Sequence, residues 1–294
     1  MKASIIITTY HRPEFLERAI LSAQNQKTDF QFEVIVIDDN GVGTEFQKQT
    51  QAVILKNDQL IYMPLEKNSG ACIARNKGAE AASGEYLFFL DDDDEYFPDK
   101  LQHQISYLEQ NKDYDGCLAA LRRIDQKGKE ILASSNYPEV GDFRNFIVKG
   151  NFFTAMLCIR KSSFLKSGGF IDIPRFQDRF YMMNALKQGF RFAVLREQLH
   201  LMYEHTEERI TSKSLDKTSD SLSKINAWVS QYKSEFSDKE WKSFQVNDLR
   251  KIAVTSYNST EKSIRLSSAV CYFKMFLKTG NMSDAVMIFK ALIK

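Results

Sequence analysis

Short apolar runs rich in β-branched residues alternate with stretches of helical periodicity, and each run stops at a polar cluster. Ala3-Ser4-Ile5-Ile6-Ile7-Thr8-Thr9 reads as a strand buried on both faces. Glu33-Val34-Ile35-Val36-Ile37 is a second, ending in Asp38-Asp39-Asn40-Gly41, and Gln59 to Met63 is a weaker third. Tyr86 to Leu90 is the fourth, and it ends in four consecutive carboxylates, Asp91-Asp92-Asp93-Asp94. Pro13 suits a first helical position, and Phe15, Ala19, Ile20 and Ala23 form an apolar stripe behind it. Ala71 to Ala82 is an Ala-rich helix carrying Arg75 and Asn76, and Gly84 closes it. Strands alternating with helices predict an α/β fold, an open, mostly parallel twisted sheet flanked by helices.

Beyond Pro98 the pattern predicts a helix from Lys100 to Asn111, with Leu101, Ile105 and Leu108 on one face. Gly116 to Ile124 and Glu130 to Ala133 read as two strands joined by a turn at Gln126-Lys127-Gly128. Phe152 to Ile159 reads as a strand, and Lys161 to Lys166 as a short helix ending at Gly168-Gly169. Gln177 to Gln188 is helical, and Gly189 to Leu195 returns as a strand. From Ser219 onward the signal is helical throughout. The polar segment Glu207 to Asp220 suggests a division into a catalytic domain, residues 1–210, and a C-terminal helical extension, residues 211–294.

Composition narrows the classes. With 43% apolar residues the chain can build a core, and a net charge of +2 does not suit a nucleic-acid-coating protein. Cys72, Cys117, Cys158 and Cys271 have neither metal-ligand nor redox-motif spacing, which points to reduced thiols in a cytoplasmic protein. No signal peptide and no membrane-spanning stretch is expected.

The acidic tip carries the chemistry. Four adjacent carboxylates repel one another, and burial would raise their pKa values, so a cation should sit among them; a hard divalent ion is the natural candidate. Ligands of open α/β sheets bind beyond the carboxyl ends of the strands, where these aspartates lie. Thr8-Thr9-Tyr10 and Asp38-Asp39 should open on the same edge, with Arg75 on the helix between the acidic strand ends. Neither G-x-G-x-x-G, G-x-x-x-x-G-K-[ST], a nucleophile elbow nor H-E-x-x-H is present. What remains suits a metal-bridged diphosphate, in which the cation neutralises both aspartates and phosphate oxygens.

The series Ser4-Ile5-Ile6-Ile7-Thr8-Thr9-Tyr10, Val36-Ile37-Asp38-Asp39, Ala74-Arg75-Asn76, Gly84-Glu85-Tyr86 and Leu90-Asp91-Asp92-Asp93-Asp94 resembles the family 2 glycosyltransferases, over roughly residues 1 to 205. The resemblance implies the GT-A fold and inverting transfer of a sugar from a nucleotide diphosphate. It places Thr8 and Tyr10 along base and ribose, with Asp39 accepting the base N–H, a charge-assisted bond that favours uracil and hence a UDP-sugar. Arg75 would approach the donor, either on a phosphate or paired with one of the aspartates. Asp93 would hold Mn²⁺ or Mg²⁺, with Asp91 or Asp92 reaching the metal or the ribose, and His205 would lie near the metal or diphosphate. Asp38 reads instead as a strand-end turn. Asp178, at a helix start after Gly168-Gly169-Phe170, would be the catalytic base, with Asp172 next in line. The polar loop after His205, with Arg209 and Lys213, would close over the donor.

The implied acceptor is a hydroxyl of a glycan or of a lipid-linked saccharide, in the synthesis of cell-surface polysaccharide. Leu266, Val270, Phe273 and Leu277 form one helical stripe and Ala285, Phe289 and Leu292 another, with Lys274, Lys278, Lys290 and Lys294 among the polar positions. They would pack on the catalytic domain, on a second subunit in a homodimer, or on an anionic membrane surface at the inner face of the cell membrane. Two rivals fit part of the pattern. A sugar nucleotidyltransferase would carry a Gly-rich basic loop after the first strand, where this chain has His11-Arg12-Pro13; a non-catalytic nucleotide-sugar-binding scaffold would not need Asp91, Asp93 and Asp178 intact.

Overall fold

The computed structural model describes residues 1–204, 214–257 and 262–293. The first half alternates as the periodicity requires: β1 (Ala3–Thr9), α1 (Pro13–Gln24), β2 (Phe32–Asp38), α2 (Glu45–Ile54), β3 (Leu60–Pro64), α3 (Ala71–Ala81) and β4 (Tyr86–Asp91). Then come β5 (Glu95–Tyr96), α4 (Lys100–Gln110), β6 (Gly116–Ile124), α5 (Phe143–Lys149), β7 (Leu157–Arg160), α6 (Lys161–Lys166), α7 (Gln177–Lys187) and β8 (Phe192–Tyr203). Among the described residues one sheet has the order β3-β2-β1-β4-β7-β6-β8-β5. The β3-β2-β1-β4 half is parallel, β7 runs antiparallel to both β4 and β6, and β8 lies parallel to β6.

Burial explains the order. Ile5, Ile6, Ile7, Val36, Ile37, Phe88 and Phe89 are all at most 1% exposed, so β1, β2 and β4 are covered on both faces and must sit centrally. Each such side chain stabilises the fold by about 1.5–3 kcal/mol. The register sets Thr8 beside both Ile37 and Asp91, so the three carboxyl ends emerge level at one edge. Gly84 allows β4 to start against β1: a Cβ there would lie 2.4 Å from the Ala3 carbonyl carbon.

Three expectations change, and one helix comes unannounced. α2 has no apolar stripe to announce it, because its buried positions are Gln47, Thr50 and Ile54. The strand expected at Glu130 to Ala133 reduces to a single bridge between Ile124 and Glu130 beyond the predicted turn, where Gly128 takes φ +75. The run Phe152 to Ile159 begins with a 3-10 turn, Thr154–Met156, and only β7 is extended. The return strand runs on to Tyr203, because a bulge that leaves Arg196 and Glu197 out of register with β6 restores pairing from Gln198 onward.

The chain divides into two compact units. The first comprises residues 1–143, 150–172 and 177–204 and contains the sheet. The second takes up residues 144–149 and 173–176 together with α8 (Leu215–Ser230), α9 (Asp238–Tyr257), α10 (Lys262–Thr279) and α11 (Met282–Ile293). Within it Ser214 caps α8 by accepting from Lys217 N, and Val246, Ala253, Cys271, Tyr272 and Met275 form the core. Arg175 donates through its backbone N to Ser221 Oγ and through Nη1 to Thr218 Oγ1. No helix among the described residues is long and apolar enough to cross a membrane.

Candidate active site

Each of the four aspartates has a partner within the protein, and Arg12 Nη1 borders two of them, lying 3.9 Å from Asp92 Oδ1 as well as against Asp93. Asp91 Oδ1 accepts from Arg75 Nη2 at 2.6 Å. Asp92, 5% exposed, accepts from Tyr10 N at 3.4 Å. Asp93 Oδ2 accepts from Arg12 Nη1 at 2.5 Å, and its carbonyl accepts from Arg18 Nη2 at 2.7 Å. Asp94 faces inward, with Oδ2 3.0 Å from His200 Nε2 and Oδ1 accepting from Tyr203 N. The last of these ties the strand tip to β8, while the first three border the sheet edge.

The titration of these groups follows from that partnering. Burial alone would push Asp91 up, but the Arg75 guanidinium outweighs it and holds the carboxyl below its ordinary range. Burial and then the Asp93 charge push Asp92 up to about 8. Burial and then Asp94 and Asp91 push Asp93 up to about 6, despite Arg12. The surroundings of Asp92 and Asp93 therefore disfavour their ionised forms, a penalty that a bound divalent cation would relieve. Among the described residues no three His, Cys, Asp or Glu side chains converge as a metal cage. Mg²⁺-type ions are commonly held by one or two carboxylates and completed by substrate phosphates, and the donor set here fits that mode.

The other predicted positions fall around the same edge. Thr8 lies beside Asp91 in the β1–β4 register. Tyr10 stacks on His11 at 3.8 Å, and His11 stacks on Phe46 at 4.1 Å, in a loop where His11 takes φ 58 and its N donates to Asn40 Oδ1. Asp39 is 4% exposed, and its two oxygens accept from Ser69 N and Gly70 N at 2.7 and 2.8 Å; burial pushes its pKa up. Asp38 is fully buried and accepts from Asn40 N and Tyr62 Oη, a structural turn as the sequence suggests. His205 and the loop with Arg209 and Lys213 lie outside the described residues.

α7 meets this edge through Arg75. Its guanidinium donates also to Gln177 Oε1 at 3.2 Å, and the neighbouring Asp178 shares the electrostatic field of Arg75 and Asp91. Burial pushes the Asp178 carboxyl up to about 6, against the Arg179 N–H that it accepts at 2.7 Å. A carboxylate poised near 6 is mostly ionised at neutral pH yet still basic enough to accept a proton. Asp172 is exposed. Just before it, Asn76 of α3 donates through Nδ2 to Phe170 O at 2.8 Å and accepts from Phe170 N at 2.9 Å.

Three contributors escaped the sequence reading. Arg12 was visible only as a turn residue, although a basic side chain straight after β1 must emerge at the acidic edge. Gln177 stood out only as the start of a helix and is the link from α7 to Arg75. His200 gave no signal, since its partner Asp94 stands 106 residues away.

A half-parallel sheet of this order, with an acidic central tip, a buried arginine beside it and a carboxylate opening the following helix, is the GT-A architecture of nucleotide-sugar-dependent glycosyltransferases. The chain belongs to glycosyl transferase family 2, whose model matches residues 4–176. It is 30% identical over 206 residues to an uncharacterized glycosyltransferase of Methanocaldococcus jannaschii, covering 67% of this chain and 68% of that protein. It is 36% identical over 106 residues to the putative teichuronic acid biosynthesis glycosyltransferase TuaG of Bacillus subtilis, covering 36% of this chain and 41% of that one. Among solved structures, S. aureus TarS 1-349 in complex with UDP-GlcNAc superposes with a TM-score of 0.60 at 19% identity, covering 99% of this chain and 80% of that one, a likeness of fold. The protein is a glycosyltransferase.

Proposed function

We propose that this enzyme transfers a sugar, with inversion, from a UDP-sugar to a hydroxyl of a surface polysaccharide or of a lipid-linked precursor. One observation carries the reading: Arg75 bonds at once to Asp91 of the acidic tip and to Gln177, the first residue of α7, and the next residue, Asp178, interacts electrostatically with both Arg75 and Asp91. The donor class is supported by the UDP-GlcNAc bound in TarS, and the pathway by the teichuronic acid assignment of TuaG.

In this reading Asp39 accepts the N–H of the base, and Thr8 and Tyr10 lie along base and ribose. Asp93 and Asp91 would hold Mn²⁺ or Mg²⁺, and such an ion would offset the charge developing on the leaving diphosphate. Asp178 removes the proton of the acceptor hydroxyl while its oxygen attacks the anomeric carbon from the face opposite the diphosphate. The new C–O bond forms as the bond to the diphosphate oxygen breaks, its electron pair leaving with UDP. The products are an inverted glycoside, UDP and protonated Asp178.

Residues 1–210 serve as the catalytic domain. The test is UDP release across a panel of UDP-sugars, with and without Mn²⁺ or Mg²⁺. We expect one or two sugars to be turned over, a metal requirement, and loss of turnover in Asp93→Asn. Full metal-independent activity, or full activity in both Asp93→Asn and Asp178→Asn, would overturn the reading.

A further inference from the structure

The second unit exposes an apolar surface that its own core does not use. α10 places Leu266, Val270, Phe273 and Leu277 in one row at positions i, i+4, i+7 and i+11, and they are 46–67% exposed. α11 repeats the spacing with Met282, Val286, Phe289 and Ile293, which are 51–84% exposed. The opposite sides of the same helices already supply Tyr272, Met275 and Ala291 to the interior. Helices of a solvated hairpin carry polar residues on the outer face; these are apolar on both. An exposed apolar row of four side chains on each of two successive helices marks an interaction surface.

Charge identifies the occupant. Lys274 and Lys290 are exposed on the two helices, whereas Lys278 donates to Gln245 Oε1 at 2.9 Å; the only carboxylate among residues 262–293 is Asp284, which is 3% exposed and lies 3.9 Å from Arg250. A second copy packing symmetrically on this face would set lysine against lysine with no acid to offset them. An anionic lipid surface supplies the missing complement, and its acyl boundary accepts the apolar rows.

We propose that the α10–α11 hairpin binds the surface of an anionic lipid bilayer, with its two apolar rows at the acyl boundary and Lys274 and Lys290 among the headgroups. The proposal rests on the second unit alone and does not depend on which donor or acceptor the enzyme uses. Its bearing on function is that a bilayer-bound enzyme meets lipid-carried acceptors at surface concentration.

Flotation of the full chain with phosphatidylcholine vesicles and with mixed phosphatidylcholine–phosphatidylglycerol vesicles tests it. Binding should be stronger to the mixed vesicles, by about fivefold for each basic residue engaged, and should weaken at high salt. Phe273→Ser with Phe289→Ser should abolish flotation, and Lys274→Glu with Lys290→Glu should remove the preference for the anionic vesicles. All four side chains are exposed, so circular dichroism and UDP release on a soluble acceptor should stay unchanged in both double variants. Absence of flotation with the mixed vesicles would overturn the proposal, as would flotation indifferent to both double variants. A dimer in light scattering that the Phe273/Phe289 variant dissolves, without vesicle binding, would give the face to a second copy and overturn it equally.

Discussion

Arg75 and Asp91 form the junction of this active site: a guanidinium 8% exposed donates to the strand-end carboxylate at 2.6 Å and still reaches Gln177. A buried arginine requires partners on both sides, and it finds one on β4 and one on α7. The pair therefore acts as a strut between the acidic tip and α7, the helix with Asp178 in its first turn.

Removing one half of that strut should cost more than removing both. Arg75→Met should destabilise the fold by about 2 kcal/mol, between the surface and buried limits because the Asp91 side chain is 41% exposed. Asp91→Asn in the same background should recover part of the loss. A double-mutant cycle by urea denaturation measures the coupling, and additive changes would show that the pair is not a unit.

Asp178→Asn separates chemistry from binding. It should lower kcat by about 10²–10⁴ while UDP affinity, read by calorimetry, stays within a few-fold. Its Tm should equal or exceed that of the wild type, since the substitution removes a carboxylate whose ionised form burial opposes. A variant that binds UDP poorly would place Asp178 on the donor side instead.

The pH profile follows from the same carboxyl. Its folded pKa is raised from 3.8 to about 6, so the base is protonated below that value and ionised above it. Turnover should climb as pH rises through about 6 and then level off, and the residual activity of Asp178→Asn should lack that limb. Initial rates at saturating donor decide this.

Lys100 gives a stability signature remote from the site. It is fully buried, donates to Gln104 Oε1 at 2.7 Å and sits 4.8 Å from the Tyr96 ring centroid; burial lowers its pKa from 10.5 to about 7. Between those values the unfolded chain binds the extra proton, so stability should rise with pH, by up to about 1.4 kcal/mol per unit from this group. Lys100→Met should lack that increment, which urea denaturation at a series of pH values between 7 and 10 would show.

The legible parts were those where one residue type decides the outcome alone. β1, β2 and β4 are β-branched or aromatic runs too apolar for any place but the centre, and their polar ends then had to fall at one edge. α2 stayed hidden because Gln47 and Thr50 are buried by hydrogen bonding to Tyr62 and Asn40, which no periodicity of apolar residues reveals. β8 looked short because its bulge breaks the alternation. The acidic tip was readable as a site, but its partition was not: which aspartate faces Arg12, Arg75 or His200 depends on strand neighbours far away in sequence.

The two consecutive α3 residues Arg75 and Asn76 have divergent duties. One holds the strand tip, and the other clasps the Phe170 backbone, where a Cβ on Gly169 would come within 2.6 Å of the amide oxygen. Since adjacent residues cannot move apart along a helix, any slide of α3 displaces both grips by the same amount. Drift in this scaffold would thus carry the β4 tip and the Phe170 segment in step, keeping the distance between them while their position shifts.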